Sequence, residues 1–187
     1  MKAKTLSLVV GMTLVANVGF AQEAELDEMA EAGNELAAST QKGMTWTKTG
    51  VDDIVGVVDV GCGYTPGAGN QCNPYSGDTT CNAILPVLCF FDGQLDQPAD
   101  LATPSRYHQW SGGIVATTAA VPGNSFANVN DVNNFCEENF GYGWRVAEFH
   151  DGWGWYFKAY GNVGNNFNNS RRRLWVHIND QPNGTCW

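Results

Sequence analysis

The chain has 187 residues, of which 10 are Lys or Arg and 19 are Asp or Glu, so its formal net charge is −9. A surface this acidic disfavours nucleic acid and anionic lipid as partners. We therefore expect no nucleic-acid binding.

The first 21 residues have the layout of a secretory signal peptide. Lys2 and Lys4 precede an apolar run over residues 6–18, which closes on the small residues Gly19 and Ala21. Because a membrane-spanning helix needs about 20 apolar residues, this run favours a signal that is cleaved after Ala21. The chain has no hydrophobic tail. We therefore expect a secreted protein, extracellular or periplasmic, with no membrane insertion.

Residues 22–45 form an acidic segment for which we predict a helix. Residues 22–41 are rich in Ala, Glu and Leu, and apolar side chains recur there at helical spacing. These apolar positions are Leu26, Met29, Ala30, Gly33 and Leu36. A stripe this narrow favours a loosely attached helix, with docking on the domain and self-assembly through the helix as the alternatives.

Residues 46–187 hold all the cysteines and are expected to form one disulfide-stapled globular domain. The six cysteines are Cys62, Cys72, Cys81, Cys89, Cys136 and Cys186. An even number in an exported chain predicts three disulfides, and their spacing does not fit a zinc site. Six cysteines allow 15 connectivities. We expect Cys136 and Cys186, which stand apart, to pair with each other, and the other four to pair among themselves.

Short β-rich runs separated by Gly, Pro, Asn and Asp follow one another through this domain. The predicted strands cover residues 54–60, 84–91, 113–118, 144–149, 155–160 and 174–178. One helix interrupts them, because Asn128 can cap its start and Gly141 can end it. Val129, Val132 and Cys136 line one face of that helix. The pattern predicts a single, loop-rich α+β domain with short antiparallel strands.

The last third reads CEENFGYGWRVAEFHDG, then GWGWYFKAYG, and ends RLWVHINDQPNGTCW. A cysteine-bearing helix, Trp-rich strands and a final cysteine in this order resemble the C-type-lectin-like domains of secreted bacterial proteins. The resemblance implies a C-type-lectin-like fold in which Cys136 pairs with Cys186. Sugar-binding members of that family carry a Glu-Pro-Asn or Gln-Pro-Asp triplet before a Trp-Asn-Asp triplet. Here Gln181-Pro182-Asn183 follows Asn179-Asp180, so the family's sugar site is not carried over.

Calcium is the one cofactor that the sequence brings into consideration, near Asn179 and Asp180. Calcium takes oxygen ligands, and residues 179–183 offer carboxylate, amide and main-chain oxygens. The competing interpretation is that Asn, Asp, Pro and Gly form a tight turn before Cys186. We favour the turn, and we predict no other metal or cofactor.

Three histidines, His108, His150 and His177, raise the alternative of a small secreted hydrolase. His108, His150 and Asp151 supply groups that acid-base chemistry uses. The competing interpretation gives each of them a structural, hydrogen-bonded role. The chain has no G-x-S-x-G nucleophile motif, and oxidised cysteines leave no thiol nucleophile. We therefore predict no catalytic residue.

Aromatic residues crowd the last third of the chain and predict a binding surface. Strand alternation over residues 155–160 would place Tyr156, Lys158 and Tyr160 on one face, opposite Phe157 and Ala159. Tyr, Trp and Asn combine apolar area with adaptable hydrogen bonds. The predicted ligand-binding residues are Trp153, Tyr156, Tyr160, Asn165 and Asn166. The function we favour is a secreted, non-enzymatic binding or adhesion module for a carbohydrate or protein ligand, with a structural subunit of an extracellular assembly as a further alternative.

Arg171, Arg172 and Arg173 form the basic cluster of this acidic chain. Three adjacent residues of an extended chain cannot all point to the same side. We therefore expect a solvated loop or strand edge there, rather than an anion site.

Overall fold

A computed structural model describes residues 40–101, 105, 108–152, 154–164 and 172–187. The predicted signal peptide at residues 1–21 and residues 22–39 of the predicted helical segment lie outside these ranges. The end of that segment is corrected, because Lys42–Gly43 is a strand and Thr45 begins another. No helix within the described part of the chain is long and apolar enough to cross a membrane.

Eleven strands and one α-helix make up the described secondary structure. The strands are β1 (Lys42–Gly43), β2 (Thr45–Asp52), β3 (Val57–Gly61), β4 (Tyr64–Thr65), β5 (Gly69–Asn70), β6 (Thr79–Thr80), β7 (Ile84–Asp92), β8 (Gln109–Pro122), β9 (Trp144–Val146), β10 (Tyr156–Asn162) and β11 (Leu174–Trp175). A 3-10 turn covers Gly123–Ser125 and leads into helix α1 (Val129–Phe140).

Six of the strands close into a barrel, in the order β11, β2, β3, β10, β8 and β7, with β7 pairing back to β11. Strand β9 adds to β7 at the side of the ring. The pairings β10–β8 and β11–β7 are parallel, and the other pairings in the ring are antiparallel. Strand accounts for 44% of the described residues and helix for 12%, so the described part of the chain is mostly β. The predicted α+β, C-type-lectin-like fold class is therefore wrong.

The barrel interior is filled by the alternate residues of the longer strands. Trp46 packs edge to face on Phe157 with ring centroids 5.5 Å apart, and Phe90 packs on Phe157 at 5.6 Å. All three side chains are buried in one hydrophobic cluster. Gly113 leaves room for the Phe90 ring, because a Cβ at this position would lie 2.3 Å from it. Closely packed aromatic rings thus hold the barrel strands in one fixed arrangement.

Helix α1 covers a second hydrophobic cluster outside the barrel. The Asn128 side chain accepts hydrogen bonds from the N–H groups of Asn130 and Asp131, and the helix ends at Gly141. Val132 and Cys136 are its fully buried residues. The helix that the sequence predicts, with its cap, stop and buried face, is confirmed.

Three disulfides are present, as predicted, but the connectivity differs. The bonds are Cys62–Cys72, Cys81–Cys186 and Cys89–Cys136. Cys89 alternates with Leu88 and Phe90, which face the barrel interior, so its side chain points outward to the helix. The expected Cys136–Cys186 bond, which the lectin resemblance also implies, is therefore wrong.

Candidate functional site

Of the five predicted ligand-binding residues, Tyr156 and Tyr160 are described and lie on the same strand, β10. Trp153, Asn165 and Asn166 lie outside the described residues. Phe157 and Ala159 are fully buried in the barrel interior, whereas Lys158 and Tyr160 are half-buried. Lys158 and Tyr160 alternate with Phe157 and Ala159 as predicted and lie on the outside of the barrel. Tyr156, by contrast, is only 9% exposed and belongs to the same buried cluster as Phe157 and Ala159.

Neighbouring strands add polar and aromatic side chains to this outside surface. Lys158 pairs across the sheet with Asp59 of β3 on one side and with Trp110 of β8 on the other. Residues paired in this way project from the same face of a sheet. We call the resulting set the outer face, and it consists of Asp59, His108, Trp110, Tyr156, Lys158 and Tyr160.

Asp59 is the central charged group of the outer face. Its side chain is only 10% exposed. One carboxylate oxygen, Oδ2, lies 2.6 Å from Nδ1 of His108 and 3.3 Å from Nζ of Lys158. The other oxygen, Oδ1, is buried and has no hydrogen-bond partner among the described residues. A carboxylate with one oxygen doubly paired and the other unpaired is unusual, because buried polar atoms are nearly always hydrogen-bonded.

His108 is held in place by a ring stack as well as by Asp59. Its imidazole lies 4.5 Å from the Tyr156 ring, with 29° between the planes. Tyr156 itself lies against Gly61, where a Cβ would come within 2.3 Å of the ring. The His108 side chain is 36% exposed. Its orientation is therefore fixed on one edge by Asp59 and on one face by Tyr156, while part of the ring reaches solvent.

Trp110 and Tyr160 form the aromatic end of the outer face. Their ring centroids are 4.9 Å apart and the rings are nearly perpendicular. The indole N–H of Trp110 donates to the carbonyl oxygen of Leu95 over 2.8 Å. Because this bond and the edge contact both restrict the indole, the half-buried Trp110 side chain has a defined position.

At the calcium position that the sequence suggested, Asp180 lies near a histidine and Asn179 contacts a glutamate. His150 Nδ1 lies 3.1 Å from Oε1 of Glu148, and its Nε2 lies 3.7 Å from Oδ2 of Asp180. The backbone N–H of Asn179 donates to Glu148. Within the described ranges, no group of three or more His, Cys, Asp or Glu side chains is arranged to hold a metal ion. Calcium near Asn179 and Asp180 stays a prediction.

The three residues of the hydrolase alternative have separate partners. His108 pairs with Asp59, His150 lies between Glu148 and Asp180, and Asp151 forms an ion pair with Arg145. Burial raises the pKa of Asp151, although Arg145 opposes this effect. His108, His150 and Asp151 therefore do not share one carboxylate–imidazole unit.

His177 forms a structural contact with Trp187. The indole Nε1–H donates to Nδ1 of His177 over 3.1 Å, so this imidazole nitrogen carries no proton. Burial lowers the pKa of His177, the charge of Glu148 opposes that effect, and Arg145 adds to it. The geometry of His177 agrees with the structural, hydrogen-bonded role that the sequence suggested.

Arg173 departs from the solvated position that the sequence predicted. Its side chain is 18% exposed and lies 3.5 Å from Asp78. The guanidinium donates to the carbonyl oxygens of Thr45, Cys62 and Gln71. Arg172 is exposed, and Arg171 lies outside the described residues. Arg173 therefore connects neighbouring segments of the chain, which the run of three arginines did not reveal.

Sequence reasoning missed Asp59 and Trp110 as members of the candidate site. A signal for Asp59 was available, since it is the one charged residue of the strand Val57–Gly61, VVDVG. Alternation with Val58 and Val60 could have placed it on the outer surface. No local pattern could have placed it beside His108, which is 49 residues away in sequence.

Comparisons of the chain with protein-family models, with curated proteins and with solved structures found no match.

Proposed function

We propose that this protein is a non-enzymatic binding module that takes a carbohydrate on its outer face. The observation that carries the proposal is the placement of Trp110 and Tyr160 as a fixed aromatic pair beside the polar group of Asp59, His108 and Lys158. Sugars present apolar C–H surfaces and hydroxyl groups together, so they require aromatic and hydrogen-bonding side chains side by side.

The rigidity of the support favours a binding role. Trp110 lies on β8, and Lys158 and Tyr160 lie on β10. These two strands are paired with each other in the wall of the closed barrel. Groups held by strands are positioned more accurately than groups on loops, and less conformational entropy is lost when a ligand binds. The outer face is therefore suited to bind a ligand without rearrangement of the backbone.

The three disulfides indicate an oxidising compartment, which agrees with action outside the cytoplasm. The signal peptide at residues 1–21 stays a prediction, and with it the extracellular or periplasmic destination. Adhesion, and self-assembly through residues 22–45, are further predictions that the described residues do not test.

A glycan array followed by calorimetry tests the proposal. Wild-type protein should bind neutral glycans, and Trp110→Ala should weaken that binding about thirtyfold, the loss typical of a central aromatic contact. Tyr142→Ala is the matched control, because Tyr142 is 94% exposed and lies outside the outer face. Binding that survives Trp110→Ala, or binding to proteins alone, would reject carbohydrate recognition at this surface.

A further inference from the structure

We propose that Asp59 and His108 form a polar subsite that binds two neighbouring hydroxyl groups of a neutral sugar. The inference rests on the proposed function and deepens it, because it names the part of the ligand that is recognised. The two protein atoms are Oδ1 of Asp59 and Nε2 of His108.

The unpaired carboxylate oxygen is the first observation. The Asp59 side chain is nine-tenths buried, and within the part of the chain that the structure describes its Oδ1 has no hydrogen-bond partner. A buried acceptor without a donor lowers stability, and a group of this kind in a folded protein calls for an explanation. A donor that arrives with a ligand supplies the missing hydrogen bond.

The tautomer of His108 provides the second acceptor. An ionised carboxylate can only accept, so the 2.6 Å contact requires that Nδ1 of His108 donates to Oδ2 of Asp59. In the neutral imidazole the remaining nitrogen, Nε2, then carries a lone pair. The outer face thus contains two acceptors for a ligand that brings two donors: Nε2 of His108, and Oδ1 of Asp59, which is shielded from solvent in this structure.

The local charge favours hydroxyl groups over a cation as those donors. Lys158 Nζ lies 3.3 Å from Oδ2 of Asp59, so the negative charge of the carboxylate already has a counterion. A cationic ligand would be repelled by this ammonium, whereas a hydroxyl is uncharged. Two adjacent hydroxyls of a sugar ring supply two such donors, and the ring's C–H surface suits the neighbouring pair of Trp110 and Tyr160.

Access to Oδ1 requires the movement of one side chain. The oxygen is shielded from solvent. The Lys158 side chain, which has a flexible four-carbon stem and is 22% exposed, lies next to the carboxylate. We take Lys158 as the side chain that moves, because its Nζ already contacts the other oxygen of this carboxylate, Oδ2. His108 stays stacked on Tyr156 during that movement.

Monodeoxy sugars measure the subsite directly. The probe is the methyl glycoside of the neutral sugar that binds best on the array, together with its monodeoxy analogues, in calorimetry. For wild type, loss of either of two adjacent hydroxyls should weaken binding about tenfold or more. In Asp59→Asn, binding of the parent glycoside should fall by a similar factor, and loss of the hydroxyl that contacts Asp59 should have little further effect.

Two variants accompany this measurement. Asp53→Asn makes the same chemical change on the exposed hairpin between β2 and β3 and should leave binding unchanged. His108→Asn retains a side-chain N–H close to the Nδ1 position and removes Nε2. If Asp59→Asn does not fold, His108→Asn serves as the test variant in its place. In His108→Asn, removal of the second hydroxyl from the sugar should no longer weaken binding.

The outcomes separate this inference from the proposed function. Equal losses for each deoxy sugar in wild type and in Asp59→Asn would overturn the subsite and leave carbohydrate binding intact. A fall in melting temperature of more than about 8 °C in Asp59→Asn with sugar affinity retained would show a structural carboxylate and also overturn it. Absence of binding to every neutral glycan would overturn the proposed function and the subsite together.

Discussion

Single side chains connect segments of this protein that are far apart in sequence, and Arg173 is the clearest example. It donates to main-chain oxygens of Thr45, Cys62 and Gln71, which are 128, 111 and 102 residues away. Main-chain carbonyls that face a partly buried guanidinium have no alternative donor when it is removed. The residue therefore fixes the start of β2 against the loop that the Cys62–Cys72 bond closes.

Arg173→Ala should lower the free energy of unfolding by about 3 kcal/mol, because it removes the ion pair with Asp78 and the side-chain donor to three carbonyl oxygens. Urea denaturation followed by tryptophan fluorescence measures the change. Arg172→Ala is the matched control and should shift the free energy by no more than about 0.5 kcal/mol, since Arg172 is exposed. Equal effects of the two substitutions would contradict the role assigned to Arg173.

At the scale of elements, the disulfides add covalent links between parts of the chain. Cys89–Cys136 attaches helix α1 to the outer side of β7, and Cys81–Cys186 attaches the chain end to the start of the same strand. Cys62–Cys72 closes a local loop around β4 and β5. Two of the three bonds therefore position elements relative to the barrel, whereas the third stabilises a loop.

Removal of Cys89–Cys136 should destabilise the protein more than removal of Cys62–Cys72. The two bonds span 47 and 10 residues, which corresponds to about 4 and about 3 kcal/mol of chain entropy. Thermal unfolding of the two paired Cys→Ala variants gives the ranking. Peptide mapping without reduction checks the connectivity, and a fragment that joins Cys136 to Cys186 would contradict it.

At the scale of the whole molecule, the charge state of buried groups makes stability depend on pH. His177 is neutral in the folded protein, because burial lowers its pKa and the Trp187 indole donates to its Nδ1. Its backbone N–H donates to Ala147 and its carbonyl accepts from Phe149. A proton on Nδ1 of His177 would therefore replace the lone pair that accepts the Trp187 hydrogen bond.

The free energy of unfolding should fall as the pH decreases below about 6.5. In that range the unfolded chain takes up a proton on His177 near the ordinary pKa of histidine, whereas the folded protein does not. The contribution is fully present above this pH and is lost as the pH falls toward the lowered pKa of the folded state. Urea titrations between pH 7.5 and 5.5 should give a smaller slope for His177→Gln than for wild type. Identical slopes would refute the assignment.

The sequence by itself determined the features that depend on local patterns. Asn128 and Gly141 mark the two ends of the helix, because capping and a glycine stop act within one helical turn. Alternation along residues 155–160 assigned Lys158 and Phe157 to opposite faces of the strand. The even number of cysteines predicted three disulfides, and the structure contains three.

Only the tertiary structure decided which distant segments meet. Closure of the barrel through β11 and β7 and the contact of Cys89 with Cys136 depend on which segments become neighbours, and local periodicity does not contain that information. Irregularities at Lys48–Gly50, Pro86–Leu88 and Lys158–Tyr160 also shift the register along the strands. Asp59 meets His108 and Lys158 across 49 and 99 residues of chain, because the closed sheet makes β3, β8 and β10 neighbours. The candidate site exists only where those strands lie side by side.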